Sequence, residues 1–114
     1  MWNITTADPF DDWYDSLNDK DRENVLVKLH LLHELGPRLS RPHSDTLQGS
    51  QFPNMKELRI QSQGRPLRVF YAFDPERQAV LLCAGNKKGK NTKPFYREMI
   101  ALADEIFQSH LDKS

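Results

Sequence analysis

A chain of 114 residues is long enough for one hydrophobic core and too short for two, so we expect a single domain over residues 1–114. Its formal net charge is zero, its single cysteine excludes an internal disulfide, and it has neither a signal-peptide pattern nor an apolar stretch of membrane-spanning length. The sequence therefore predicts a folded, cytoplasmic protein that does not act at a membrane.

The zero net charge conceals three segments of opposite sign. Residues 1–35 carry eight acidic and three basic residues, a net charge of −5. Residues 36–97 carry twelve basic and four acidic residues, a net charge of +8, whereas residues 98–114 carry four acidic residues and one basic residue, a net charge of −3. If the acidic helices lie behind a sheet, the middle segment would present a basic face of the kind that binds nucleic acid. The alternative is that the fold interleaves the charges and leaves no basic face.

The N-terminal third is predicted to be mainly helical. A short β-type segment at residues 2–5 is followed by Asp8 and a proline, which are typical of a helix N-terminus, and then by an apolar stripe with helical spacing. A second helix is expected from about residue 18 to the Gly-Pro pair that follows residue 35. Residues 36–54 have no sustained periodicity and are predicted to form a long irregular connection.

Beyond residue 54 the hydrophobic period changes to two, which is typical of strands. Strands are expected at residues 55–61, 67–73 and 79–85, and a last helix at Pro94. The element order β-α-α-β-β-β-α predicts an α+β fold. In this fold the two N-terminal helices pack on one face of a small, twisted, mainly antiparallel sheet.

A cationic cluster is the first candidate for function. Four lysines fall within the seven residues 87–93, here called the lysine loop, and a tyrosine begins the helix after it. Like charges this close require solvent or an anionic partner. Arg59 and Arg68 are predicted to share one sheet face, because adjacent antiparallel strands can bring them together. The face not covered by helices would then collect Arg59, Arg68, Lys87, Lys88, Lys90, Lys93 and Tyr96.

Such a set of side chains suits the cleavage of RNA, which carries its own nucleophile in the 2′-hydroxyl group. An enzyme must remove the proton of that hydroxyl, stabilise charge on the phosphorane and protonate the leaving 5′-oxygen. Arginine and lysine stabilise phosphate charge through charge-assisted hydrogen bonds. Neighbouring cations would favour the phenolate of Tyr96 and make it a candidate general base that needs no carboxylate. The alternative is that Tyr96 only packs against the sheet.

Two histidine motifs have simpler explanations than metal binding. His30, His33 and Glu34 lack the spacing of a helical zinc site and are typical of a solvated helix end. His43 and Asp45 are expected to organise their loop through local hydrogen bonds. We therefore predict no metal and no cofactor.

Three motifs, taken together, carry a family resemblance: "RPHSDTL" at residues 41–47, "MKELR" at 55–59 and "RVFYAF" at 68–73. With them, the chain resembles the HigB-like, phage-associated branch of the RelE/ParE toxin superfamily over nearly its whole length. The resemblance implies the RelE-like microbial ribonuclease fold, metal-independent cleavage of mRNA in the ribosomal A site, and neutralisation by a cognate antitoxin. That antitoxin is expected to be HigA-like, with a helix-turn-helix.

The resemblance also implies roles for individual residues. Arg68 corresponds to the sheet arginine of the family, and Tyr96 to the tyrosine that begins the C-terminal helix. The basic residue after the last strand falls on Lys87, with Lys88 as an alternative. The predicted catalytic residues are Arg68, Lys87 and Tyr96.

The preceding strand matches the family in part. RelE has a pair of lysines there, and this chain offers Lys56, followed by Glu57 and Arg59. The predicted substrate-binding residues are Lys56, Arg59, Lys88, Lys90 and Lys93.

Two other functions remain open at this point. A ParE-like toxin that binds and inhibits DNA gyrase without catalysis would keep the same scaffold and lack the basic catalytic set. A nucleic-acid-binding accessory module would show salt-dependent binding without cleavage.

Overall fold

The computed structural model describes residues 1–113 and contains five strands and three α-helices in that range. The elements are β1 (Asn3–Thr6), α1 (Asp8–Asp15), α2 (Asp19–Leu35), a 3-10 turn (Gly36–Arg38), β2 (Ser44–Thr46), β3 (Lys56–Ser62), β4 (Arg65–Phe73), β5 (Gln78–Asn86) and α3 (Thr92–Asp112). No helix within residues 1–113 combines the length and the apolar character needed to cross a bilayer.

The five strands form one sheet in the order β1-β5-β4-β3-β2. β1 runs parallel to β5, and every other neighbouring pair is antiparallel, which confirms the predicted mainly antiparallel sheet. β2 lies inside the segment that was predicted to be an irregular connection, so that prediction was wrong in part. It is a three-residue edge strand, in which Ser44 pairs with Leu58 of β3, and three residues are too few to show a period of two.

The ends of α2 follow the signals in the sequence. The Asn18 side chain accepts a 2.9 Å hydrogen bond from the backbone N–H of Asp21 and so caps the first turn. The helix ends at Gly36, whose φ of +54° favours glycine. A Cβ atom at this position would lie 2.2 Å from the Trp2 ring, so glycine also lets the N-terminal segment pack closely.

The apolar core on one face of the sheet is covered by α1 and α2. Val25 and Leu32 of α2 pack with alternate residues of β3 and β4, including Leu58, Leu67 and Val69. The predicted packing of the two N-terminal helices on one face is therefore confirmed. This core leaves no polar opening along the centre of the sheet on that side, because the strand residues that it uses are apolar and buried.

The opposite face is covered in part by α3, and the prediction that this face is free of helices was wrong. Phe95, Ile100, Ala103 and Phe107 of the helix pack against residues that include Phe70. The physical reason is that α3 has an apolar stripe that must be buried, and this sheet face offers a matching apolar surface. α3 begins at Thr92, two residues before the predicted start. Its first turn therefore lies beside the polar end of the sheet.

Candidate active site

The polar end of the α3 face is built by strand alternation. Glu57 and Arg59 of β3 lie on the face opposite Leu58, and Arg68 of β4 lies opposite Leu67. Arg59 and Arg68 are direct cross-strand partners in the register. The prediction that the two arginines share a face is therefore confirmed. Arg68 in turn pairs with Gly85 of β5.

Tyr96, near the N-terminal end of α3, covers these strand residues. Its phenol donates a 2.5 Å hydrogen bond to Oε1 of Glu57. Its ring packs edge-on against Phe70, with the ring centroids 6.0 Å apart. The ammonium group of Lys87 lies over the same ring, 5.5 Å from its centroid, which is a cation–π geometry. Tyr96 therefore packs against the sheet and also makes polar contacts at the end of it.

Glu57 is the centre of the arrangement, and it is only 3% exposed. Its Oε2 accepts a 3.0 Å hydrogen bond from Nε of Arg59, and its Oε1 lies 3.6 Å from Nε of Arg68. We call Glu57, Arg59, Arg68 and Tyr96 the Glu57 network. The sequence predicts a cationic surface that needs no carboxylate, whereas the structure places the buried carboxylate of Glu57 at the middle of that surface.

A sequence signal for Glu57 was present. Alternation along β3 puts this acidic residue between Met55 and Arg59 on one face, and Met55 is fully buried. A carboxylate next to a core residue must be paired, because an unpaired buried charge costs several kcal/mol. The nearest available partners are the arginines on the same face.

The network changes the expected titration of Tyr96. Burial raises the pKa of the phenol, and the hydrogen bond and negative charge of Glu57 raise it further, whereas Arg68 lowers it. The net result is a pKa above the ordinary tyrosine value. The prediction that neighbouring cations favour the phenolate was therefore wrong, because burial and Glu57 together raise the pKa of Tyr96 by more than Arg68 lowers it.

Arg68 is held tightly, with 13% of its side chain exposed. Its Nη1 donates a 3.0 Å hydrogen bond to the carbonyl oxygen of Leu67. Its buried Nε finds no hydrogen-bond partner within residues 1–113. A buried donor without a partner is uncommon in stable cores and is more often found where a protein binds or reacts.

The outer rim of the network is a second ion pair. Nη2 of Arg59 donates to Oδ2 of Asp45 at 3.1 Å, and Nε of Arg41 donates to the same oxygen at 3.0 Å. Burial raises the pKa of Asp45, but hydrogen bonds from Arg41 and Thr46 and the nearby positive charges outweigh this, so the pKa is below its ordinary value. Asp45 therefore joins β2 to the network, which goes beyond the local loop role that the sequence suggested.

An open cleft of about 410 Å³ lies over the network, between the sheet end, residues 45–48 and the start of α3. Glu57, Arg59 and Tyr96 line it from the network. Lys87 and Lys93 line it from the lysine loop. The cleft thus places one guanidinium group, two ammonium groups and a phenol around a space wide enough for a phosphate group.

The structure does not bring every predicted site residue to this cleft. Lys88 and Lys90 are exposed in the lysine loop, and Lys90 lines a neighbouring cavity beside Trp13. Lys56 alternates onto the α1–α2 face of the sheet, and its ammonium group donates to Oγ1 of Thr46 at 2.9 Å. The predicted set therefore divides into residues at the cleft, residues beside it and one residue that faces away.

The histidine motifs of the sequence lie away from the cleft or at its outer side. His30 is exposed and lies 3.5 Å from Glu34, and His33 hydrogen-bonds the Trp2 carbonyl oxygen at 2.7 Å. His43 contacts the Lys28 ammonium group at 2.7 Å. Within residues 1–113, no three His, Cys, Asp or Glu side chains converge as metal ligands would.

Comparison with known proteins assigns the chain to a family. The model of the family described as phage derived protein Gp49-like (DUF891) matches residues 12–108. The putative toxin HigB2 of Mycobacterium tuberculosis is 48% identical over 100 residues, which are 87% of this chain and 49% of that protein. The putative toxin HigB3 of the same organism is 43% identical over 99 residues, 87% of this chain and 84% of that protein. The chain thus spans about half the length of the first relative and most of the second.

Solved structures give the same fold. A free-state E. coli RelE toxin with two arginine-to-alanine substitutions has a TM-score of 0.60 and 17% identity, over 88% of this chain and 95% of that one. The isolated E. coli RelE toxin has a TM-score of 0.60 and 18% identity, over 89% and 97% of the two chains. At such identities the likeness concerns the fold, and it confirms the predicted RelE-like architecture.

Proposed function

The chain belongs to the phage-derived Gp49-like family, which includes HigB-like toxins, and from this premise we propose that it is the toxin of a type II toxin–antitoxin module. The proposed activity is endonucleolytic cleavage of mRNA on the ribosome, which stops translation. The single observation that carries this proposal is the cleft over the Glu57 network. There, a phenol lies among guanidinium and ammonium groups.

Residues of the cleft, together with Arg68 of the Glu57 network behind it, can be matched to the three needs of RNA cleavage. Tyr96 lies at the cleft surface and is proposed to receive the proton of the 2′-hydroxyl. Arg68 and Lys87 are proposed to stabilise the negative charge on the phosphorane, because charge-assisted donors in a partly buried site act strongly on such charge. Lys87 can also supply the proton for the 5′-oxygen. Because cations already supply positive charge, the proposed reaction is metal-independent.

The remaining basic residues are proposed to hold the RNA backbone. Arg59 and Lys93 line the cleft, while Lys88 and Lys90 extend the positive surface along the lysine loop. Lys56 lies on the other face and would contact RNA only where the strand leaves the cleft. The ribosome would present the mRNA as an extended single strand whose phosphates these side chains can reach.

A protein with such a surface needs a partner that masks it in a cytoplasm full of RNA. We propose a cognate antitoxin, HigA-like and carrying a helix-turn-helix, that covers the cleft or holds the toxin away from the ribosome. Expression of the chain alone should arrest growth, and co-expression of the antitoxin should restore it. Normal growth during strong expression of the folded chain alone would contradict the toxin assignment.

Primer extension on translated mRNA after a short pulse of expression tests the activity directly. We expect new 5′ ends inside reading frames with the wild-type chain and none with Tyr96→Phe, which keeps the ring packing. Intact mRNA together with inhibited DNA supercoiling would favour the gyrase-binding alternative. Intact mRNA with salt-dependent RNA binding alone would favour the accessory-module alternative.

A further inference from the structure

We propose that Glu57 is a positioning residue that accepts the proton of Tyr96 while Tyr96 takes the proton of the RNA 2′-hydroxyl. The inference rests on the proposed ribonuclease function and deepens it. It assigns a role to a carboxylate that a purely cationic mechanism leaves unused.

The geometry separates the two roles. Tyr96 is partly exposed and lines the cleft, so its oxygen can contact RNA. Glu57 is 3% exposed and lies behind it, with the phenol donating to Oε1 at 2.5 Å. An RNA 2′-hydroxyl that donates to the Tyr96 oxygen would therefore be linked to Glu57 by two successive hydrogen bonds, the first to the phenol and the second from the phenol to the carboxylate.

A carboxylate behind the phenol resolves a difficulty with Tyr96 as the sole base. A free phenolate beside a carboxylate is disfavoured, and burial together with Glu57 raises the pKa of Tyr96. If the phenol passes its own proton to Glu57 as it receives the substrate proton, no phenolate has to form beforehand. The hydrogen bond that disfavours the phenolate is then the route by which the proton leaves.

The proposed step is balanced. The 2′-oxygen forms a bond to phosphorus while its proton moves to Tyr96 Oη and the Tyr96 proton moves to Glu57 Oε1. The bond between phosphorus and the 5′-oxygen then breaks, and the 5′-oxygen takes a proton from the Lys87 ammonium group. The products are a 2′,3′-cyclic phosphate and a 5′-hydroxyl. Glu57 later returns one proton and Lys87 regains one, so the site is restored without net change.

Substrate binding itself prepares Glu57 for this role. In the free protein Arg59 donates to the carboxylate at 3.0 Å, and Arg68 lies 3.6 Å from it. A scissile phosphate competes for the same guanidinium groups, since both anions accept charge-assisted hydrogen bonds from arginine. A phosphate bound to these guanidinium groups would leave the hydrogen bond from Tyr96 as the contact that Glu57 keeps.

Several charged groups face this pair and would contribute to its pH dependence. From the strands these are Arg59, Arg68 and Asp45, and from the lysine loop and α3 they are Lys87 and Lys93.

A spectroscopic titration tests the coupling without any need for activity. Ultraviolet absorbance follows the ionisation of the chain's three tyrosines, and subtraction of the Tyr96→Phe curve isolates Tyr96. In Glu57→Gln, loss of the negative charge should move the Tyr96 midpoint to lower pH. An unchanged midpoint in a folded Glu57→Gln protein would overturn the proposal.

The second test is the pH profile of single-turnover cleavage on programmed ribosomes. Glu57→Gln should slow cleavage roughly 100- to 10,000-fold and remove the acid limb of the profile, whereas Glu57→Asp should restore part of both. Asp45→Asn is the matched control, because it also removes a carboxylate from Arg59 but has no contact with the phenol in the structure. It should keep the acid limb.

The outcomes separate this proposal from the function on which it rests. If the wild-type chain cuts and Glu57→Gln cuts at the same rate with the same profile, Glu57 has no part in proton transfer and the ribonuclease function stands. If the wild-type chain leaves translated mRNA intact, both proposals fail. If Glu57→Gln does not fold, Glu57→Asp carries both tests, because its shorter side chain draws the carboxylate back from the phenol. A cleavage rate and a Tyr96 midpoint that both equal those of the wild type would then overturn the proposal.

Discussion

On each face of the sheet a tyrosine, an arginine and a carboxylate make polar contacts. On the α1–α2 face, Tyr71 shares a 2.5 Å hydrogen bond with Ser44. On the same face, Arg65 pairs with Asp21, whose other oxygen accepts a 2.5 Å hydrogen bond from Ser62. Each of these polar side chains has a hydrogen-bond or ion-pair partner, and Asp21 and Tyr71 are almost completely buried.

On the α3 face, hydrogen-bond donors outnumber the carboxylate that accepts from them. Glu57 has three donors around it, namely Arg59, Arg68 and Tyr96, and the buried Nε of Arg68 lies 3.6 Å from Oε1 of Glu57 without making a hydrogen bond within residues 1–113. A cleft that is also lined by Lys87 opens directly over them. Polar groups that satisfy one another serve stability, whereas a surplus of donors next to an open cleft is typical of a site that receives an anion.

Removal of the hydroxyl from Tyr96 or from Tyr71, in separate variants, gives the largest expected difference between the two faces. Tyr96→Phe should reduce cleavage roughly 100- to 10,000-fold and leave the melting temperature almost unchanged, because the ring packing is kept. Tyr71→Phe should cost about 1 kcal/mol of unfolding free energy through loss of the Ser44 hydrogen bond and leave cleavage intact. Single-turnover cleavage on programmed ribosomes and thermal melting measure the two effects.

The reverse pattern would remove the distinction between the faces. A stable Tyr96→Phe protein that cuts at the wild-type rate would sink the assigned role of Tyr96, and Lys87 or Lys88 would then become the leading candidate for the base.

The two arginines of β4 provide the second contrast. Arg68→Ala should reduce cleavage roughly 100- to 1,000-fold, because one donor to the phosphorane is lost. Arg65→Ala should instead lower the unfolding free energy by about 3 kcal/mol, because it leaves the buried Asp21 carboxylate without its cation. Denaturant unfolding and cleavage assays on both variants check this. A loss of cleavage in Arg65→Ala under conditions where the protein stays folded would contradict the division between the faces.

Much of this arrangement follows from local patterns in the sequence. A period of two fixes which side chains of β3 and β4 share a face, so the pairing of Arg59 with Arg68 was predictable. The caps of α2 and the chain order of the elements followed from equally local signals. These features depend on neighbouring residues, which is why sequence patterns capture them.

The features that escaped prediction depend on contacts between distant segments. Tyr96 meets Glu57 across 39 positions, and the position of α3 over the sheet decides that contact. The same tertiary placement reverses the expected pKa shift of Tyr96, since burial of the phenol and its contact with Glu57 raise the pKa by more than Arg68 lowers it. The short edge strand β2 was missed because its register is set by β3.

The last turn of α3 also contacts a buried carboxylate of the β4–β5 turn. His110 lies 2.8 Å from Asp74, whose side chain is 1% exposed, so α3 meets a buried carboxylate near both ends. Burial raises the pKa of Asp74, but hydrogen bonds from His110, Gln78 and Glu76 outweigh it and leave the pKa below its ordinary value. A depressed carboxyl pKa stabilises the fold above the ordinary value of 3.8, and this contribution is lost as pH falls through the folded-state pKa.

Thermal melts of the wild type and Asp74→Asn over a pH series check this contribution. We expect the wild type to melt at a higher temperature than Asp74→Asn at pH 7. This difference in melting temperature should shrink as the pH falls below 3.8. Cleavage at pH 7 should be little affected in the variant, because Asp74 contacts His110 at the end of α3 opposite Tyr96. A difference in stability that is constant with pH would show that the Asp74 charge does not hold the end of α3.

The smallest expected effects concern the lysines outside the cleft. Each lysine that neutralises one phosphate of single-stranded RNA contributes about 0.7 to the slope of log affinity against log salt concentration. In a Tyr96→Phe background, where RNA stays intact, Lys88→Ala and Lys90→Ala should each reduce that slope by about this amount, because both side chains are exposed beside the cleft. Lys56→Ala is the matched control and should leave the slope nearly unchanged, because Lys56 faces the α1–α2 side and donates to Thr46. A Lys56 effect equal to that of Lys88 would mean that the RNA crosses the β2 edge, and the functional contrast between the two faces would then be smaller than the geometry of the Glu57 network indicates.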